Sequence, residues 1–371
     1  MSQLLRWPIS KNSTVTPIGL DIGPSCVRAA QLERAGGAWR ILRVSSWNRR
    51  GLEDGSVASE GFAGRIKRSI LQSGYQGRRA IAGLSVPEVE LHALEIPLQA
   101  NSGDVGAIGQ AVRWEMERVT GIPADEAASD YWHLPSTKVS NTTAIGAAGK
   151  SSAVEAATAL ARASGLECEC VDVTACALAR LGVVAGYGGS DNPLIWGVLD
   201  VGSRLLRLVV SLGETPVLAR TLGGGSEAWT QRIAESLELS SEAAETHKRD
   251  HGIGAQETDG ETGASAEIAE MILAALLSEL DYAVAEIERS YEYVMRCYPK
   301  QSLGALMLAG AGSDLAGLDD YLAKKLGVEV SGLNRIVKTP QSRLAAAPSI
   351  RDSLSGYACA IGLAIDREAT A

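Results

Sequence analysis

Ile18-Gly19-Leu20-Asp21-Ile22-Gly23-Pro24-Ser25-Cys26-Val27-Arg28 is the stretch on which the reading of this 371-residue chain turns. An apolar strand runs into Asp21, and Gly23 follows two residues later, where the backbone can turn tightly and come close to a ligand. Successive amides in such a turn can form an anion-binding concavity, and an acid at the strand end can hold a hydrated magnesium ion. The same residues also suit a plain β-hairpin whose Asp and Gly only shape the turn. The stretch alone leaves both readings open.

Repetition shifts the balance. Val198-Leu199-Asp200-Val201-Gly202-Ser203-Arg204-Leu205-Leu206-Arg207 repeats the pattern, with Asp200 matching Asp21, Gly202 matching Gly23 and Arg207 matching Arg28. Each copy continues into a second strand, the first after Arg34-Ala35-Gly36-Gly37 and the second after Gly213-Glu214. Two such hairpins half a chain apart imply two lobes built on related sheets. A nucleotide clamped between the two turns is the economical use of them.

Composition narrows the function classes. The length allows two domains, and 46% hydrophobic residues suffice for real cores. A net charge of −9 argues against non-specific nucleic-acid binding, which needs a basic footprint. With a single Phe among many Ala and 40 Gly, the cores must be aliphatic with some Tyr and Trp. Cysteines 26, 168, 170, 176, 297 and 359 lack the spacing of a disulfide framework, and Cys168-x-Cys170 has neither a CxxC partner nor a nearby His for metal. A reduced, cytoplasmic setting is expected. No apolar run approaches a membrane span and no signal-like start is present, so no direct membrane insertion is expected.

In chain order, residues 1–17 read as a flexible tail, 61–73 as a helix, 78–86 as a buried strand and 89–96 as an edge strand ending at Pro97. Residues 104–120 form an amphipathic helix with Val105, Ile108, Val112, Met116 and Val119 inward, stopped by Gly121 and Pro123. Strands 131–134 and 142–148, helix 153–164 and strand 167–173 follow. Gly188 to Pro193, all turn-formers, is the candidate lobe boundary. Beyond the second hairpin, Gly223-Gly224-Gly225-Ser226 opens a helix whose amides could receive phosphate. Residues 240–250 form a charged helix and 252–265 a flexible loop. A long helix then runs from Ile268 to Pro299. Strand 303–308 breaks into Ala309-Gly310-Ala311-Gly312-Ser313; helix 318–326, strand 328–330 and a closing helix 354–365 complete the chain.

Paired Asp-x-Gly hairpins, a Gly-Gly-Gly-Ser turn, a strand ending in Ala-Gly-Ala-Gly-Ser and a late Gly-containing helix occur in the order seen in actin-like ATPases. Four further stretches resemble the PilM family within that superfamily. They are Gly165 to Val173, Ile108 to Pro123 with Asp130-Tyr131, Ala244-Glu245-Thr246-His247-Lys248-Arg249, and Glu286-Ile287-Glu288-Arg289-Ser290. The resemblance covers Ile18 to Ile365. It implies an α/β, actin-like fold of two duplicated lobes. Residues 18–190 and 350–371 would make lobe 1, with a small subdomain inserted at about 87–150. Residues 191–349 would make lobe 2, with its own small subdomain at about 222–300.

The resemblance also implies a site. Asp21, Gly23 and Ser25 would form the first phosphate loop and Asp200 and Gly202 the second. Asp21 and Asp200 would hold Mg2+ through water. Gly224, Glu245, Lys248, Arg289 and Ser290 would surround ribose and base, and Gly310 and Gly312 the sugar and α-phosphate of ATP or ADP. By itself, Glu245 with Lys248 and Arg249 also reads as a solvated helix face. Two departures from the family point to slow or absent turnover: Pro24 removes an N–H a phosphate would use, and Arg204, Leu205 and Leu206 stand where small hydroxyl residues are usual.

The implied role is a cytoplasmic component of the type IV pilus platform, recruited to the inner face of the inner membrane. It would grip the N-terminal cytoplasmic tail of a bitopic, PilN-like protein, with no nucleic acid involved; self-association is compatible with this. Val89 to Leu134 would supply the peptide groove, with Trp114, Tyr131 and Trp132 as anchors. The alternatives are a small-molecule kinase, for which no separate base motif is found, and an FtsA-like division protein, whose amphipathic C-terminal helix the segment Ile365 to Ala371 does not supply.

Overall fold

The structure, a computed structural model, describes residues 15–35, 38–49, 60–96, 105–137, 140–188, 193–254, 263–339 and 342–365. Its first strands come from the opening stretch. β1 (Ile18–Ile22), β2 (Cys26–Ala35) and β3 (Ala38–Asn48) form an antiparallel meander with Asp21 opposite Arg28. Helix α1 (Glu60–Gln72) buries Phe62, Ile66 and Ile70 against this sheet, and β4 (Arg79–Leu84) joins β1 in parallel.

The inserted subdomain is β5 (Glu90–Leu94), α2 (Val105–Thr120), β6 (Ala127–His133) and β7 (Ala144–Lys150). Its strands pair in the order β5-β7-β6, which leaves β5 at an edge. The inward stripe of α2 lands where its period places it: Val112 and Met116 are buried with Leu94 and Ile96. Helix α3 (Ser151–Ala163) returns the chain to β8 (Glu167–Val173) and α4 (Thr174–Ala185).

The second lobe repeats the plan with β9 (Ile195–Val201), β10 (Leu206–Leu212) and β11 (Thr215–Leu222). Helices α5 (Ser226–Ser236), α6 (Ser241–His251) and α7 (Gly263–Cys297) follow. Then come β12 (Leu303–Ala309), α8 (Leu318–Leu326), β13 (Glu329–Gly332), α9 (Leu333–Ile336), β14 (Leu344–Ala346) and α10 (Ala358–Ala364). The sheets run β14-β3-β2-β1-β4-β8 and β11-β10-β9-β12-β13, so apart from β14 the duplication extends strand for strand. This is the actin-like fold.

Helices α4 and α10 lie between the sheets, in a core that mixes Leu32 and Ile41 of the first lobe with Val198, Val209 and Met307 of the second. Gly19 makes that layer possible: a Cβ there would stand 2.0 Å from the Ala360 carbonyl oxygen, so α10 crosses β1 at backbone contact.

Four expectations change. Val15 bridges Glu33, and the Thr16 N–H donates to the Leu32 carbonyl, so the end of the expected tail is docked on β2; residues 1–14 lie outside the described residues. The return to the first lobe precedes residue 350, because β14 pairs in parallel with β3. Helix α7 begins at Gly263, inside the expected 252–265 loop, of which 255–262 lie outside the described residues; so do 189–192 of the expected lobe boundary. Finally, α4 fills a segment for which the sequence suggested no element.

Candidate functional site

The two Asp-x-Gly turns face each other across a cleft of about 130 Å3 lined by Asp21, Gly23, Ser25, Arg28, Asp200, Gly202, Ser203, Arg204, Arg207, Ser226, Gly310 and Cys359. At its mouth the loops touch, Ser25 Oγ lying 3.3 Å from Ser203 Oγ. Both turns close in the same way: the Gly23 N–H donates to the Cys26 carbonyl (3.0 Å) and the Gly202 N–H to the Leu205 carbonyl (3.1 Å). These two amides are therefore spent inside their own turns and are not the anion donors the sequence suggested. A Cβ would sit 2.8 Å from the Leu205 carbonyl oxygen at Gly202, which excludes it, and a tight 3.0 Å from the Cys26 carbonyl oxygen at Gly23.

The glycine run is likewise engaged. The first amides of α5 donate to the second loop, Ser226 to the Gly202 carbonyl (2.9 Å) and Glu227 to the Ser203 carbonyl (2.8 Å). A helix N-terminus carries orphan N–H groups; here the loop caps them, so they are not open to phosphate. Gly225 permits the contact, because a Cβ would fall 2.5 Å from the Arg204 carbonyl carbon.

Each loop aspartate stands opposite an arginine on the returning strand. Asp200, 2% exposed, accepts from Arg207 Nε at 2.7 Å and pairs also with its Nη2. The Cys359 thiol approaches the same Oδ2 at 3.8 Å, and Gly310 presses on Oδ1, where a Cβ would lie 2.3 Å away. Asp21 is also buried but has no hydrogen-bond partner among the described residues. Burial pushes its carboxyl above the usual range against the opposing charges of Arg207 and Arg28, with Asp200 adding to the rise. Arg28 has neither hydrogen bond nor ion pair among the described residues. Burial, with the charge of Asp200, also raises the Cys359 thiol well above its ordinary value.

This donor set does not fit the expected Mg2+. A hydrated magnesium ion needs ionised carboxylate oxygens with room for its waters. Asp200 Oδ2 is taken by Arg207 and Cys359, burial raises the Asp21 carboxyl above its ordinary range, and two carboxylates face three guanidiniums along the cleft. Among the described residues no three His, Cys, Asp or Glu side chains gather to hold a metal.

The remaining candidates lie behind the cleft wall. Lys248 is buried and donates to the Ser226 carbonyl (3.0 Å), Thr230 Oγ1 (2.6 Å) and Glu245 Oε2 (2.6 Å), locking α6 to the start of α5. Lys248 therefore leaves the solvated face, whereas Arg249 stays on it, exposed and paired with Glu245. Partial burial raises the Glu245 carboxyl, but hydrogen bonds from Lys248 and Thr230, with the charges of Lys248 and Arg249, outweigh it and hold the group low. Ser290 is buried, accepts from Arg220 Nη1 at 3.0 Å, and neighbours the Glu286 carboxylate that pairs with both Arg220 and Arg289. Gly312 packs on Val201 and Ser226, and Gly224 faces Glu279. The sequence reading missed Arg28, Ser85, Ser203, Arg207, Ser226 and Cys359 as cleft residues. The signal for two of them was present, since each arginine follows its aspartate by the same interval.

A second recess lies beside the first. The open edge β5 faces β11, the edge of the other lobe's sheet, across two cavities of about 140 and 260 Å3 that share Leu91, His92 and Ala219. Ser85, Val86 and Arg207 line both the larger cavity and the interlobe cleft. The three expected anchors do not converge here. Trp114 is 62% exposed on α2, Tyr131 packs toward α2, and Trp132 donates its indole N–H to the Pro216 carbonyl (2.8 Å), tying the subdomain to β11. No helix among the described residues is long and apolar enough to cross a membrane.

The family model for type IV pilus assembly protein PilM matches residues 19–368. A solved PilM-PilN type IV pilus biogenesis complex is similar at 25% identity, covering 95% of this chain and 98% of that one, with a TM-score of 0.69. The ethanolamine utilization protein EutJ from Carboxydothermus hydrogenoformans shares the fold at 15% identity, covering 94% and 89%, with a TM-score of 0.51.

Proposed function

The chain belongs to the PilM family of type IV pilus assembly proteins, and from that premise we propose that it grips the N-terminal cytoplasmic tail of a PilN-like membrane protein and holds ATP or ADP between its lobes. The observation that carries the partner is the likeness, over 95% of this chain, to a chain of the PilM-PilN complex. In this reading the protein works in the cytoplasm, at the inner face of the inner membrane, where the partner's tail emerges.

Local chemistry supports the grip. An open strand edge offers backbone N–H and C=O groups to an incoming extended segment, and flanking apolar recesses accept its alternate side chains. β5 has that edge, and Leu91, Leu134, Val217 and Leu218 supply apolar walls. The nucleotide is supported by the two facing turns and by the arginines that line them. Turnover is slow or absent, because Pro24 lacks an N–H, Leu205 and Leu206 bring no hydroxyl, and the Gly23 and Gly202 amides are already bonded.

The test is a labelled synthetic peptide of the partner's N-terminus, about ten residues long so that it outreaches β5 when extended. Wild type binds it, and Ala219→Trp, which fills both cavities from a half-buried position, weakens binding by about tenfold or more. Equal binding by the folded variant would place the grip elsewhere. An ATPase rate of about 1 per second or more would make the chain an ordinary enzyme and overturn the turnover statement.

A further inference from the structure

The cleft carries the positive charge that a polyphosphate requires, but as guanidinium groups. Arg207 directs Nε and Nη2 at Asp200 and lies 3.9 Å from the Cys359 sulfur, while its Nη1 has no partner among the described residues. A guanidinium has five N–H donors in a planar fork, so one side can hold a carboxylate while the other meets an anion. Across the cleft Arg28 has no hydrogen-bond or ion-pair partner among the described residues and stands on the first hairpin in the register position that Arg207 takes on the second. A divalent ion at Asp200 Oδ2 would have to displace the charge-assisted bonds from Arg207, and Oδ1 is crowded by the Gly310 backbone in a site that is 2% exposed.

We propose that Arg207, fixed by Asp200 and assisted by Arg28, takes the place of the divalent cation, so that this cleft binds a nucleoside di- or triphosphate without metal. The inference rests on the nucleotide reading above and names the chemical form of its ligand. Asp200 is then a positioning residue that orients Arg207, and Arg28 and Arg207 are the groups that select a polyphosphate over an uncharged nucleoside. The arrangement also accounts for weak chemistry: no metal ion is available to draw charge from a leaving phosphate or to orient a water.

The experiment is a fluorescence titration of the full chain with a fluorescent ADP and ATP analogue, in EDTA and in excess Mg2+. Affinity in EDTA is expected within about threefold of that in Mg2+. Arg28→Gln changes a residue with no hydrogen-bond or ion-pair partner among the described residues, so the fold is kept, and it weakens binding in EDTA by about tenfold. Asp200→Asn keeps an oxygen acceptor for Arg207 and removes a negative charge beside the phosphates; it tightens binding in EDTA, whereas a metal-ligand role for Asp200 demands a loss. If EDTA lowers wild-type affinity by tenfold or more and Mg2+ restores it, or if Asp200→Asn loses binding only in Mg2+, the arginine assignment is wrong and the nucleotide reading stands. No binding in either buffer, by folded protein that still binds the partner peptide, removes the nucleotide reading and this inference together.

Discussion

The two loops share a backbone and differ in how they are held. Each closes on a glycine N–H bonded to a carbonyl three residues on, and each sets an aspartate opposite an arginine. In the second lobe every one of these parts is tied down: Asp200 to Arg207, the loop carbonyls to the first amides of α5, and α5 to Lys248. In the first lobe Asp21 and Arg28 face the cleft without partners among the described residues. The duplicated hairpins thus differ: one is tied into its surroundings, and the other leaves an aspartate and an arginine open to the cleft.

The sharpest way to break this contrast is to remove the two arginines in turn. Arg207→Ala strands a buried carboxylate and is expected to cost about 3 kcal/mol. Arg28→Ala, lacking any such partner, stays within about 0.5 kcal/mol. Urea denaturation of both variants measures the difference, and equal costs would erase the distinction between the tied hairpin and the open one.

Gly225→Ala comes next. Its Cβ would meet the backbone of Arg204 and Leu205 at 2.5 and 2.6 Å, prising α5 from the loop that caps it. A loss of about 2 kcal/mol is expected, read in the same denaturation experiment; a neutral result would mean that the cap is not rigid.

The smallest effect is a pH dependence at Asp21. Its folded carboxyl lies above the ordinary value of 3.8, so the native state binds the proton more tightly than the unfolded chain does. Stability from this group is full below that value and declines as pH rises through the folded pKa. Asp21→Asn therefore gains on wild type as pH rises from 4 to 8. Parallel stability profiles would show that Asp21 is solvated after all.

The hairpins, the amphipathic α2 and the long α7 were legible because their signals are local: a turn flanked by apolar strands, or an inward stripe at helical spacing. Helix α4 was not. Nearly all its residues are buried on every side, so no polar face marks a period, and its one charged side chain, Arg180, is paired with Asp172. β14 is three residues long and finds its partner, β3, some three hundred residues away. At the site, the aspartates and glycines could be read from the repeat, but the use of their amides could not. That depends on Leu205 turning back onto Gly202 and on Gly225 seating α5 against the loop. The arginines were visible as a matched pair; only the strand register put them across from the acids.

Ser85, Val86 and Arg207 form a party wall, with the cleft on one side and the β5–β11 recess on the other. Whatever occupies either room leans on the same guanidinium. The two occupancies then belong to one thermodynamic square, whose opposite sides are equal: the factor by which a nucleotide alters the grip on a peptide is the factor by which the peptide alters the hold on the nucleotide. If the proposed nucleotide and peptide sites are coupled through this wall, one face can report on the other without hydrolysis.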